Sequence, residues 1–161
     1  MIKVEEIAEK YKGYEVDEEK LKKFLTPPKP KTVWDLKESD KYWYISDYGQ
    51  ICKSTWTNFE CEIIRRAIGN CFLTKKEGEF EVERRKVEAI LLKYGGRRFK
   101  NSERNYYLYY DHEDNLIRKT MVDTCQSQGI IFFDDDKVID QAVKEAGEDN
   151  IKKYIFGVDA E

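Results

Sequence analysis

Arg84, Arg85 and Lys86, then Lys93, Arg97, Arg98 and Lys100, fall within one short stretch, with Tyr94, Phe99 and Tyr106 among them. Cations interleaved with aromatic rings grip single-stranded nucleic acid, because phosphates pair with the charges while bases stack on the rings. From 61 to 104 there are twelve Lys/Arg against seven Asp/Glu, and from 134 to 161 four Lys against nine Asp/Glu, so the chain is polarised. Its net charge is nevertheless only −3, which argues against both a strong general nucleic-acid binder and a DNA-mimicking polyanion. On a helical wheel Arg85, Lys86 and Lys93 occupy the broad face opposite Phe80 and Val87, as solvated helix faces do. Arg97, Arg98 and Lys100 follow Gly95-Gly96, outside that helix, and are the stronger candidates to touch nucleic acid or an acidic protein surface. These six residues, Arg85, Lys86, Lys93, Arg97, Arg98 and Lys100, form the candidate binding surface.

The other reactive groupings have simpler explanations. Cys52, Cys61, Cys71 and Cys125 with the single His112 supply zinc-type donors. No pair has Cys-x-x-Cys spacing, so a site would need ligands from distant segments, and buried thiols packing as small hydrophobes are favoured. His112 stands among Asp111, Glu113 and Asp114, which suits a metal or general base but equally suits a solvated hairpin turn. Asp134-Asp135-Asp136 can hold Mg²⁺, yet acids at a helix start also cap its amides. Glu79, Glu81 and Glu83 with Lys86 loosely suggest a metal-dependent nuclease, but on a helix residues two apart diverge. Phosphate-cradling loops, nucleophile elbows, zinc-protease helices and dinucleotide fingerprints do not occur, so no enzyme and no cofactor is expected.

The elements that carry these residues are legible as alternating patterns. Val4, Ile7, Ala8 and Tyr11 have helical spacing before Gly13, and Asp17 opens a second helical segment through Leu25. Thr26-Pro27-Pro28-Lys29-Pro30-Lys31 is a stiff linker. Tyr42-Trp43-Tyr44-Ile45, a turn at Ser46–Gly49 and Gln50-Ile51-Cys52 read as a hairpin. Asn58 to Ile68 reads as a helix capped by Asn58, with Phe59, Ile63 and Ala67 on one face. Cys71-Phe72-Leu73 is a short strand, and Thr74 with Glu77 forms a capping box for a helix striped by Phe80, Val87, Ile90, Leu91 and Tyr94.

The order then recurs. Tyr107–Tyr110, a turn at Asp111–Asp114 and Asn115–Arg118 make a second hairpin; Gly129–Phe133 is a strand, and Asp134 stands where Thr74 stood. A helix with Val138, Ile139, Ala142, Val143 and Ala146 ends at Gly147, and a last one runs from about 149 to 156. Ungapped, 42–52 overlays 107–117 and 70–74 overlays 130–134. The expected fold is α+β: two hairpin–strand–helix modules, 32–102 and 103–161, after a helical arm over 1–31. An internal duplication and a mere likeness of two similar units both explain the repeat.

Trp34-Asp35-Leu36, Lys41-Tyr42-Trp43-Tyr44-Ile45, Gly49, Trp56, the run Gly69–Glu77, Glu79-Phe80, Glu83-Arg84 and the ending Glu148–Val158 together resemble a family of small accessory proteins of phages and prophages of Gram-positive bacteria. The resemblance spans 32–158; Gly78 departs from it, since alanine is usual there. The family has no agreed activity, so it supplies no catalytic residues. It implies a bacterial cytoplasm and a host protein or ribonucleoprotein as partner. The leading expectation is therefore a non-enzymatic inhibitor of a host defence complex such as a CRISPR–Cas nuclease. A nucleic-acid-binding accessory factor is the alternative, and a sponge for a nucleotide signal a further one. No segment has the length or apolarity of a membrane span, and no signal-peptide core follows Met1.

Overall fold

A computed structural model describes residues 4–15 and 32–158. Contacts divide the chain into 1–31 and 32–161. In the first unit Val4–Lys10 forms helix α1, and Gly13 takes the positive φ of 93° that ends such a segment. The expected helix over Asp17–Leu25 and the Pro-rich linker lie outside the described residues.

The second unit is α+β. Lys41–Ile45 (β1) pairs antiparallel with Ile51–Thr55 (β2), and Asn105–Asp111 (β3) with Leu116–Val122 (β4). Each hairpin carries a third, one-residue rung. Trp43 exchanges both backbone hydrogen bonds with Phe72, at 2.8 Å each, and Tyr106 exchanges both with Phe133, at 3.3 and 2.8 Å. Two residues beyond each rung stands a helix cap. Thr74 accepts from the Glu77 amide at 3.2 Å to open α3, Lys75–Tyr94, and Asp135 accepts from the Val138 amide at 2.9 Å to open α4, Asp136–Ala146.

These rungs fix the correspondence between the modules. Trp43 matches Tyr106 and Phe72 matches Phe133, so Thr74 matches Asp135 rather than Asp134. The overlay expected from sequence is therefore displaced by two residues in the hairpin and by one at the cap. A shift of two leaves every strand residue on its original face, which is why the patterns still matched.

Val87 and Leu91 of α3 meet Phe133, Ile139, Ala142 and Ala146 in the main core, joined by Ile151 of α5, Glu148–Tyr154. A smaller core holds Leu36, Tyr42, Trp56 and Cys71. Two glycines lie at close approaches, tight at Gly78 and too close for a side chain at Gly95. A Cβ on Gly78 would lie 3.2 Å from Ile51 Cδ1, and one on Gly95 only 2.8 Å from the Phe133 ring. Small residues here let α3 press against its neighbours.

Candidate protein-binding face

Residues Glu60–Ala67 form α2, two turns long, with Phe59 at its start. Asn58 does not serve as the cap: it adopts a φ of 63° just before the helix, and Glu62 reaches back to bind the segment leading into it. Glu62 Oε2 accepts from the Thr57 amide at 2.7 Å, the Thr57 hydroxyl at 3.0 Å and the Phe59 amide at 3.1 Å. Glu62 is 4% exposed. Burial alone would raise its pKa, but these hydrogen bonds outweigh it and hold the carboxyl below the ordinary value.

The two arginines of α2 also turn inward. Arg65 Cζ sits 3.8 Å above the Tyr44 ring, and one of its nitrogens donates to Tyr42 Oη at 3.1 Å. Arg66 Cζ lies 4.5 Å from the Trp56 ring and 5.0 Å from the Trp34 ring, between two indoles. Its buried Nε has no hydrogen-bond partner, so the aromatic faces supply the compensating negative potential. Burial pushes the Tyr42 phenol up, although the Arg65 hydrogen bond opposes that shift. A core made of rings and a phenol can thus receive the polar side of a helix.

The apolar side of α2 is left facing out. Phe59 is 69% exposed, Ile63 42%, Ile64 51% and Ile68 67%, and Ala67 is exposed as well. The face bearing Phe59, Ile63 and Ala67 was readable as a unit, but its direction is the reverse of the usual one. An exposed apolar cluster of this kind, on one side of a short helix, is a candidate contact site. Trp34, 65% exposed, covers Arg66 from the solvent side.

No family model, curated protein or solved structure matches this chain. Assignment of a site therefore rests on the geometry.

The basic residues singled out in the sequence are mostly committed to other groups. Arg85 pairs with Glu81 at 2.8 Å, Lys86 with Glu83 at 2.7 Å, Lys93 with Glu145 at 2.7 Å and Lys100 with Glu103 at 3.5 Å. Arg97 turns inward. It donates to the Arg98 and Arg104 carbonyls at 2.9 Å each and to Asn105 Oδ1 at 2.8 Å, and its Nε lies 2.7 Å from Asp134 without hydrogen-bond geometry. It braces the loop before β3. Arg98 is exposed, and its side chain forms no ion pair among the described residues. The fully buried Asn105, which sequence reading passed over, completes that brace: its carboxamide bonds Arg97, the Lys100 amide and three carbonyls.

The acidic groups are equally dispersed. Asp134 faces Arg97, Asp135 caps α4, and Asp136 pairs with Lys119 at 2.9 Å. Glu79 pairs with Lys75, while Glu81 binds both Arg84 and Arg85. His112 stacks edge-on to Tyr110 with centroids 4.9 Å apart. Among the described residues no three His, Cys, Asp or Glu side chains converge to hold a metal. Of the cysteines Cys71 is buried, Cys52 half-buried, and Cys61 and Cys125 exposed, so the expectation of buried thiols fails for those two. No described helix is long and apolar enough to cross a membrane.

Proposed function

We propose that this chain is a non-catalytic binding protein that docks the outward face of α2, Phe59, Ile63, Ile64, Ala67 and Ile68, onto a partner protein. The observation that carries the reading is the inversion of that helix, which puts Glu62, Arg65 and Arg66 inside and leaves five apolar residues outside beside the exposed Glu60. Solvated apolar surface of this extent is unfavourable until covered, and its burial supplies binding free energy at about 25 cal/mol per Å². The exposed Trp34 indole offers an aromatic anchor of the kind on which interface energy concentrates, while Arg66 beneath it holds the helix to its core.

The phage-accessory resemblance supplies the class of partner: a host defence complex, such as a CRISPR–Cas nuclease, met in the bacterial cytoplasm. Titration of a purified CRISPR–Cas effector tests this. Inhibition is expected to saturate near one equivalent, with a complex that survives gel filtration, and Ile64→Asp is expected to abolish both. Inhibition by trace amounts with turnover would refute a non-catalytic role. Oligonucleotide binding with steep salt dependence, unaffected by Ile64→Asp, would place function elsewhere on the surface.

A further inference from the structure

The two modules differ at one matched position, and a cavity opens there. In the first module the β1 residue two beyond the rung is Ile45, whose N–H and C=O face away from β2, as those of Trp43 do. The Asn70 carboxamide engages both: the Ile45 amide donates to Asn70 Oδ1 at 2.9 Å, and Asn70 Nδ2 donates to the Ile45 carbonyl at 2.8 Å. A side-chain amide here takes the place of a further rung.

In the second module the matched residues are Leu108 and Ile131. Tyr106 spends both backbone groups on Phe133, so the alternation along β3 turns the N–H and C=O of Leu108 the same way, toward Ile131. Isoleucine has nothing to offer them, and the two Leu108 groups have no hydrogen-bond partner among the described residues. Leu108 and Ile131 line an open cavity of about 280 Å³ whose other walls include Leu91, Phe133, Ile151 and Phe156, with the charged Arg84 and Glu88 also on its lining. An apolar cavity of ~150 Å³ holds benzene, so this one has space for a ring bearing a substituent. Leu108 and Ile131 are half-buried, so these two backbone groups must be satisfied by whatever fills the cavity, water or a ligand.

We propose that this cavity is a binding site for a small planar molecule carrying a carboxamide or ring-amide edge. Its carbonyl accepts from the Leu108 amide and its N–H donates to the Leu108 carbonyl, as the Asn70 carboxamide does on Ile45. Its apolar body lies among Leu91, Phe133, Ile151 and Phe156. The site is separate from the α2 face and stands whether or not that face binds a protein.

Benzamide and acetophenone, which share a shape and a carbonyl but differ in the N–H donor, are the probes, and the full chain is followed by amide NMR. Benzamide is expected to shift the Leu108 amide saturably, with acetophenone roughly five- to twentyfold weaker for want of the second hydrogen bond. Uracil separates the two sources of an amide edge: a response to benzamide alone assigns a carboxamide, and one to uracil alone a ring amide. Ile131→Asn, which gives the second module the residue found in the first, is expected to occupy the Leu108 groups and abolish the response, whereas Ile131→Ala keeps it. An unmoved Leu108 amide with both benzamide and uracil would overturn the proposal, as would acetophenone binding as tightly as the better of the two. A response retained in a folded Ile131→Asn protein would do so too. Should that variant fail to fold, the wild-type comparison of benzamide and uracil with acetophenone decides: acetophenone binding as tightly as the better of the two would overturn the proposal.

Discussion

Replacing Glu62 measures what holds α2 with its polar side inward. Its Oε2 receives three hydrogen bonds, two from backbone amides and one from a hydroxyl, while Oε1 faces the Tyr42 hydroxyl at 3.5 Å. Charge-assisted bonds contribute roughly 1.5–3 kcal/mol each when lost outright. Thr57 and Phe59 lie at the surface, so water recovers part of that, and Glu62→Ala is expected to cost about 3 kcal/mol. Glu62→Gln keeps one carbonyl oxygen, which can take the Oε2 position and turn its amide nitrogen toward Tyr42 Oη. Only the charge is then lost, at about 1–1.5 kcal/mol. Urea unfolding followed by the fluorescence of buried Trp56 reads both, and at a slope of about 1.5 kcal/mol per molar the alanine midpoint falls by ~2 M. The pH dependence has a definite sign. A carboxyl whose folded pKa is depressed contributes stability that is fully present above the unfolded value and fades as pH falls through the folded one. The gap between wild type and Glu62→Gln is therefore expected to close below about pH 4.5, the ordinary value for this group. Equal losses from alanine and glutamine, or losses below 0.5 kcal/mol in roughly neutral buffer for both, would refute the account of the inverted helix.

The remaining predictions concern the rest of the unit. Asn105→Ala removes a buried carboxamide that ties the 97–105 loop to β3 and β4, and is expected to cost about 3 kcal/mol by chemical denaturation. Gly95→Ala forces a Cβ against Phe133 and the Phe132 carbonyl, so thermal unfolding is expected to report a loss of roughly 1–3 kcal/mol. A thiol reagent is expected to modify Cys61 and Cys125 rapidly in the native protein, while Cys71, buried and with its thiol pKa pushed up by that burial, reacts only on unfolding; time-resolved mass spectrometry distinguishes them.

Both hairpins and α3 were legible because local chemistry decides them: rings and β-branched residues flank turns, and Thr74 with Glu77 forms a capping box. The match between modules was read two residues out at the hairpin because a strand pattern repeats every two residues and cannot fix its own register. Only the rungs at Phe72 and Phe133 fix it, and without them the pairing of Asn70 with Ile131 is invisible, and with it the cavity. The orientation of α2 was illegible for a different reason. Periodicity identifies a face, and the inference that an apolar face points inward fails where aromatic rings and a phenol await the charges. Arg97 misled in the same way: a loop arginine beside other cations has the sequence signature of a surface, yet carbonyls and Asn105 enclose it.

The inversion of α2 also bears on how such a protein changes over time. Ordinarily the residues that give a helix its stickiness are those that hold the fold, so a new specificity risks the old stability. Here the two duties fall on opposite sides of two helical turns. Glu62, Arg65 and Arg66 anchor the helix, while Phe59, Ile63, Ile64 and Ile68 belong to neither core. Substitutions along the outer stripe are thus nearly free of folding cost, and the face can drift stepwise from one target to the next while its scaffold stays fixed.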